Sequence, residues 1–302
     1  GLADENGNSG TDVKYVDRLV KQTAAAINEA YKNIKPAYLK VAVGEAKGKI
    51  AYNYYAPRLY DPRCGVIQLI SSSDKKVIST LVNYATHPEV IGSDRDICTP
   101  DLVGPLYSKI ESEVGGIAIF MNSAQGGMVT ADNRRENGKE ANDWDECIRI
   151  GELMAKESLR IISDAKIQKD PKIEILSNDV NIPVESDLMN FILKYSIFDY
   201  KISKEGEVTT RMNLLNIGDA QIITIPGEAL PNIGFYIKRK MKTDKAFLFG
   251  LTNDAFGYII TKEDFNSFKR YEYICRTSLG EKTADIVINA ALELIKKSSA
   301  AK

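Results

Sequence analysis

Apolar residues recur at helical spacing from Val13 to Lys32 (Val16, Leu19, Val20, Ala24, Ile27, Ala30, Tyr31), which predicts an amphipathic helix. Short β-branched runs follow over residues 39–43 and 65–70, and a longer one over 77–85. Thr99-Pro100-Asp101 offers a cap, a proline and a first-turn acid, so a helix is predicted from there to about Glu113. The apolar run 117–121, bounded by Gly115-Gly116, predicts a strand buried on both faces. Further along, helices are predicted over 144–165, 188–195, 231–241 and 283–296, and extended segments over 173–184 and 246–251. Residues 212–217 and 220–225 around Gly218-Asp219 carry a hairpin signature, and 130–142 and 200–209 read as polar loops. The fold class predicted is α/β, a single domain with a central mixed β-sheet flanked by helices.

Composition narrows the function classes. Forty basic residues against 41 acidic leave a net charge of −1, so no basic face for nucleic acid is expected. No apolar run approaches the roughly 18–20 residues of a membrane span, although peripheral contact with a membrane stays open. Cys64, Cys98, Cys147 and Cys275 are widely spaced and form no C-x-x-C pair, which favours buried small hydrophobes over a metal knuckle or disulfide framework. The chain opens on a polar stretch from Gly1 to Gly10 without a methionine, and reads as a fragment or processed product.

His87 is the only histidine of 302 residues, so histidine-based metal or acid–base chemistry must use it. It follows a strand in Thr86-His87-Pro88-Glu89. Three other strands end in comparable polar loops: Asn122-Ser123-Ala124-Gln125-Gly126-Gly127, Pro226-Gly227-Glu228, and Asn253-Asp254-Ala255-Phe256-Gly257-Tyr258. Ligand sites of open α/β sheets lie outside the carboxyl ends of strands. Each loop has a plain structural explanation: a tight turn at Gly126-Gly127, a helix start at Glu228, a sheet aromatic at Tyr258. Together they set an imidazole, a carboxylate and a phenol in the same kind of location, a donor set suited to zinc.

At these loops the chain resembles the neutral/alkaline, non-lysosomal ceramidase family, and its shorter bacterial members in particular. The resemblance is carried by Asn83-Tyr84-Ala85-Thr86-His87-Pro88, Thr99-Pro100-Asp101-Leu102-Val103-Gly104, and residues 120–127. It continues through Ile225-Pro226-Gly227-Glu228, residues 253–261, Arg270-Tyr271-Glu272 and Thr277, in family order over nearly the whole chain. It implies that residues 1–302 form a ceramidase-like catalytic domain. Its zinc would be held by His87, Glu228 and Tyr258, the family's other metal histidine lying upstream of Gly1. The chain departs from the family's long members in having no extension after Lys302 for their C-terminal immunoglobulin-like domain, so none is expected in it. The family's serine position falls, ungapped, on Val129, and a one-residue shift puts Thr130 there.

The implied function is zinc-dependent cleavage of an N-acyl amide bond in a ceramide-like lipid, acting on a small-molecule or lipid substrate. Attack by Thr130 and attack by zinc-activated water both remain open. The backbone amides of Gly126, Gly127 and Met128 are expected to stabilise the oxyanion, and Asp101 and Asn253 to support the metal ligands, Asp101 by holding His87. The alternatives are a metal-dependent hydrolase of another amide, ester or glycan-linked substrate, and a non-catalytic lipid- or glycan-binding relative. The resemblance leans towards a secreted or envelope-associated protein, and oligomeric state is left open. With one metal ligand outside the chain, weak zinc binding is expected, together with apolar exposure on the helix beginning at Val13.

Overall fold

The computed structural model describes residues 10–302. Its strands form two four-stranded sheets and two small two-stranded ones rather than a single sheet, one of the small ones pairing β2 (Ala51–Asn53) with β6 (Val129–Ala131). Sheet one has the order β1-β3-β4-β5, from Ala37–Glu45, Arg63–Ser71, Val77–Tyr84 and Ile117–Asn122. Sheet two has the order β11-β9-β8-β7, from Lys245–Phe249, Ala220–Thr224, Glu207–Ile217 and Ile173–Pro183. In each sheet antiparallel neighbours are extended by one parallel pair, β4/β5 and β9/β11. A parallel pair needs a crossover, supplied by the helices α2 (Val103–Val114) and α5 (Pro231–Lys240). The mixed α/β single-domain architecture anticipated from the sequence is therefore present, built as two stacked halves.

Packing follows from the period-2 side-chain alternation of the strands. On one face of sheet one, Val66, Val82 and Ala118 pack with Leu106 and Ile110 of α2 and with Ile150 and Met154 of α3 (Trp144–Ile162). On sheet two, Val180, Ile182, Met212 and Leu214 pack against Val287, Ala291 and Leu294 of α7 (Thr283–Lys297) and against Ile233 and Ile237 of α5. The remaining faces meet each other through Leu39, Val41, Ile67, Ala220, Ile222 and Phe247. The layer order is helix, sheet, sheet, helix. Gly65 makes the close approach workable: a Cβ there would stand 2.4 Å from the Phe247 ring.

Polar groups also join the halves. The Asn83 amide donates to the carbonyls of Met121 (2.9 Å) in sheet one and Leu248 (3.0 Å) in sheet two. Buried Lys238 on α5 donates to Asp61 Oδ2 (3.0 Å) just before β3 and to Ser123 Oγ (3.1 Å) just after β5. Asp61 also takes a two-pronged bond from Arg63. Burial pulls the Lys238 ammonium below its ordinary pKa. Asp61 is also buried, which pushes a carboxyl upwards, but its two cations hold it below the usual carboxylate range.

Three local expectations are corrected. The strand over 117–121 is an edge strand with one open face, not buried on both: Ile117 is 66% and Ile119 40% exposed. The helix expected from Thr99-Pro100-Asp101 begins at Val103, because Asp101 adopts a left-handed conformation (φ 51°) that no helix accommodates. Cys98 is exposed, whereas Cys64, Cys147 and Cys275 are buried as expected. The first helix, α1 (Val13–Lys32), forms where anticipated, capped by Asp12, yet none of its residues is buried. No helix among the described residues is long and apolar enough to cross a membrane.

Candidate metal and catalytic site

The two parallel pairs end side by side, and their carboxyl-end loops interlock. Gly250 after β11 donates to the Asn122 carbonyl at the end of β5 (2.9 Å), and Gly126 donates to Ala229 (3.0 Å). Ala229 belongs to β10 (Glu228–Ala229), which pairs in parallel with β12 (Tyr258–Ile259). In that register Glu228 lies opposite Tyr258, so the two side chains share a face. On the other side, His87 forms a bridge with Thr130 of β6 (Val129–Ala131).

His87 Nε2 lies 2.9 Å from Glu228 Oε2, and Nδ1 lies 2.6 Å from the Val129 carbonyl oxygen. A carbonyl only accepts, so Nδ1 carries a proton and donates. In the neutral ring Nε2 is then a bare lone pair facing a carboxylate oxygen, two acceptors aimed at each other. That arrangement calls for a cation between them, either a proton making imidazolium or a metal ion. Both side chains are mostly buried, at 21% and 18% exposure. Burial pushes the His87 pKa down, but the bond to Glu228, its charge and the Val129 carbonyl outweigh it and raise the value above 6.5. Tyr258 is buried beneath the Tyr273 ring (centroids 5.9 Å apart), and its hydroxyl points to Met128 Sδ at 3.9 Å. Burial and the Glu228 charge push its phenol pKa far up, so it ionises only beside a strong cation.

His87, Glu228 and Tyr258, far apart in sequence, are thus assembled in one place. Ligands of a tetrahedral zinc bound at about 2.0–2.2 Å stand roughly 3–4 Å apart, so the His87–Glu228 pair needs only a small opening to admit the ion. No group of three or more His, Cys, Asp and Glu side chains that could hold a metal ion is found among the described residues.

The other candidate residues are distributed differently. Thr130 lies next to His87 and lines a cavity of about 210 Å³. The Gly126 amide is already bonded to the Ala229 carbonyl, so it is withdrawn as an oxyanion donor. Its role is clearance, since a Cβ would stand 2.2 Å from the Glu228 carbonyl oxygen. Gly127 and Met128 follow in left-handed backbone, φ 72° and 70°.

Asp101 does not reach the imidazole. Its carboxylate accepts from the amides of Val90 (3.1 Å), Ile91 (2.8 Å) and Leu102 (2.7 Å), fixing the loop that leaves His87. The place expected for Asp101 is taken by the Val129 carbonyl, a main-chain group with no signature in sequence. Asn253 bonds the Arg211 carbonyl (2.6 Å) and supports β8 instead of the ligands. Glu89, two residues after His87, was legible only as part of the His-Pro-Glu segment. Its charge acts on both His87 and Tyr258.

No protein-family model matches this chain, and no curated protein matches it in sequence. Its fold does match solved structures. The chain superposes on neutral ceramidase from Pseudomonas aeruginosa with a TM-score of 0.70 at 14% identity, over 91% of this chain and 55% of that one. A structure described as ceramidase complexed with C2 gives a TM-score of 0.66 at 15% identity, over 89% and 55%. The chain therefore has the neutral ceramidase fold and spans about half the length of the structures it matches.

Proposed function

We propose that this chain is the catalytic domain of a zinc-dependent, ceramidase-like hydrolase that cuts an N-acyl amide bond. The observation that carries the reading is the His87–Glu228 pair, whose Nε2 lies 2.9 Å from a carboxylate oxygen, with Tyr258 opposite Glu228 in the strand register. His87, Glu228 and Tyr258 would hold the ion. Zinc there would polarise the acyl carbonyl and lower the pKa of a bound water to about 7. The ceramidase fold of the chain supports hydrolysis as the chemistry.

The chain's own groups have separate tasks. Val129 fixes the imidazole tautomer through Nδ1, in the manner of groups that orient metal-bound histidines. Asp101 holds the loop that carries His87. If water adds to the acyl carbon, the C–N bond breaks, the nitrogen takes a proton, and a carboxylic acid and an amine leave directly. If Thr130 adds, the amine leaves first and the acyl group stays as a Thr130 ester, which water then hydrolyses to the acid, restoring the hydroxyl.

Release of fatty acid from an N-acyl sphingosine, measured with added zinc, tests the reading. His87→Ala should abolish it. Loss of turnover in Thr130→Ala identifies a threonine nucleophile, and turnover that survives it identifies water. Absence of both zinc uptake and hydrolysis of every acyl substrate would favour a non-catalytic binding protein.

A further inference from the structure

The cavity beside Thr130 joins polar to apolar side chains. Its lining is mixed: Glu89, Glu140 and Asn142 share it with Tyr54, Val90 and Met128. Its volume of about 210 Å³ lies below the roughly 300–1,000 Å³ of pockets that take drug-sized ligands, and suits a group of about one ring. An alkyl chain seated there would suit only the apolar part of the lining and return no hydrogen bond to the rest.

The cavity wall is fixed. Tyr52 donates to Glu140 Oε1 (2.7 Å), and the Arg134 guanidinium lies 3.7 Å above the Tyr52 ring. Asn133 is buried and its amide is anchored to Asn142 Oδ1 (2.8 Å). At the mouth Tyr54 is 61% exposed, and a run of rings continues from it through Tyr55 (6.1 Å) to Tyr271 (5.6 Å). A flat aromatic face next to carboxylates and amides matches a ring with an apolar face and hydroxylated edges.

The cavity also adjoins the candidate metal ligands. Thr130 lines it and is bridged to His87, while Met128 lines it and receives the Tyr258 hydroxyl. Neither His87 nor Glu228 lines the cavity itself, so it is the shared wall at Thr130 and Met128 that would bring a ring's substituent towards the pair. We infer that the amine half of the substrate is a hydroxylated sugar ring, so that the amide presented for cleavage is that of an N-acylated amino sugar. This rests on the hydrolase reading only for where the bond is cut. The seating of the sugar rests on the cavity itself.

The probe is N-acetylglucosamine, titrated into the protein by ligand-observed NMR, with a short-chain N-acyl sphingosine as the comparison. The sugar should bind and the lipid should not displace it. Tyr54→Ala should weaken the sugar by about tenfold, the loss of one ring contact, and Glu140→Gln should weaken it as well. No sugar binding, or binding indifferent to both Tyr54→Ala and Glu140→Gln, overturns the inference. Sugar binding without hydrolysis of any N-acyl compound upholds the cavity assignment and strikes the hydrolase reading alone. Hydrolysis of the lipid without sugar binding strikes this inference alone.

Discussion

Glu228 meets His87 at 2.9 Å across 141 residues of chain, with the other ring nitrogen committed to the Val129 carbonyl. The carboxylate therefore sets the charge state of the imidazole. In Glu228→Gln the charge is gone and burial remains, so the His87 pKa should fall below its ordinary 6.5 instead of lying above it. NMR titration of the single imidazole reads this directly, and an unchanged midpoint would show that Glu228 is not the partner.

The same shift has a consequence for stability. A folded-state pKa raised above the unfolded value stabilises fully below about pH 6.5 and is lost as pH rises through the folded value. Metal-free protein should thus lose stability on passing from mildly acidic to mildly alkaline pH. In Glu228→Gln this step should vanish or reverse.

Gly126→Ala should damage the site without touching a ligand. Its Cβ would stand 2.2 Å from the Glu228 carbonyl oxygen, in a bonded pair of main chains that cannot both stay in place. The expected cost is about 1–3 kcal/mol in denaturant unfolding, with weaker zinc binding as well. Gly65→Ala, colliding with Phe247 between the sheets, should cost a similar amount yet leave zinc affinity nearly unchanged.

Lys238 and Asp61 join the two halves from inside. Asp61→Asn strands a buried ammonium, and Lys238→Met removes one of the two cations that hold Asp61. Breaking such a pair costs roughly 3–5 kcal/mol. Asp61→Asn should approach that figure, and Lys238→Met should cost less because Arg63 remains. Equal and small effects of both in urea unfolding would refute the coupling.

The element pattern was largely legible in sequence, because helical and strand periodicities survive wherever one face is buried. Val77–Tyr84, Trp144–Ile162, Asp187–Lys194 and Thr283–Lys297 lie close to their expected bounds. The two-residue strands β10 and β12 were not legible: no periodicity exists over two residues, and their pairing depends on Gly126, Gly227 and Gly257 letting main chains close in. Likewise the division into two sheets depends on which strands neighbour each other, which alternation alone does not encode. His87, Glu228 and Tyr258 stood out by type and by position after strands. Asp101 and Asn253 were misplaced because their bonds go to main-chain groups that any sequence carries.

The helix α1 presents Leu19, Val20, Ile27 and Tyr31 to solvent, at 48–75% exposure. Truncating Leu19, Val20 or Ile27 to alanine should change the stability of this chain by no more than about 0.5 kcal/mol, the usual range for surface positions. A loss above about 2 kcal/mol from any of these would mean that the helix packs against the body of the protein.

The central claim is that His87, Glu228 and Tyr258 form one metal site. Zinc titrated into the metal-free protein by calorimetry, with His87→Ala, Glu228→Gln and Tyr258→Phe alongside, tests it most directly. The account predicts one zinc per chain and proton release to solvent on binding, as the ion displaces protons from Nε2 and the phenol. It also predicts affinity at least about tenfold weaker in each variant, a loss of about 1.4 kcal/mol or more. Zinc binding that is absent, or that survives all three substitutions unchanged, would contradict it.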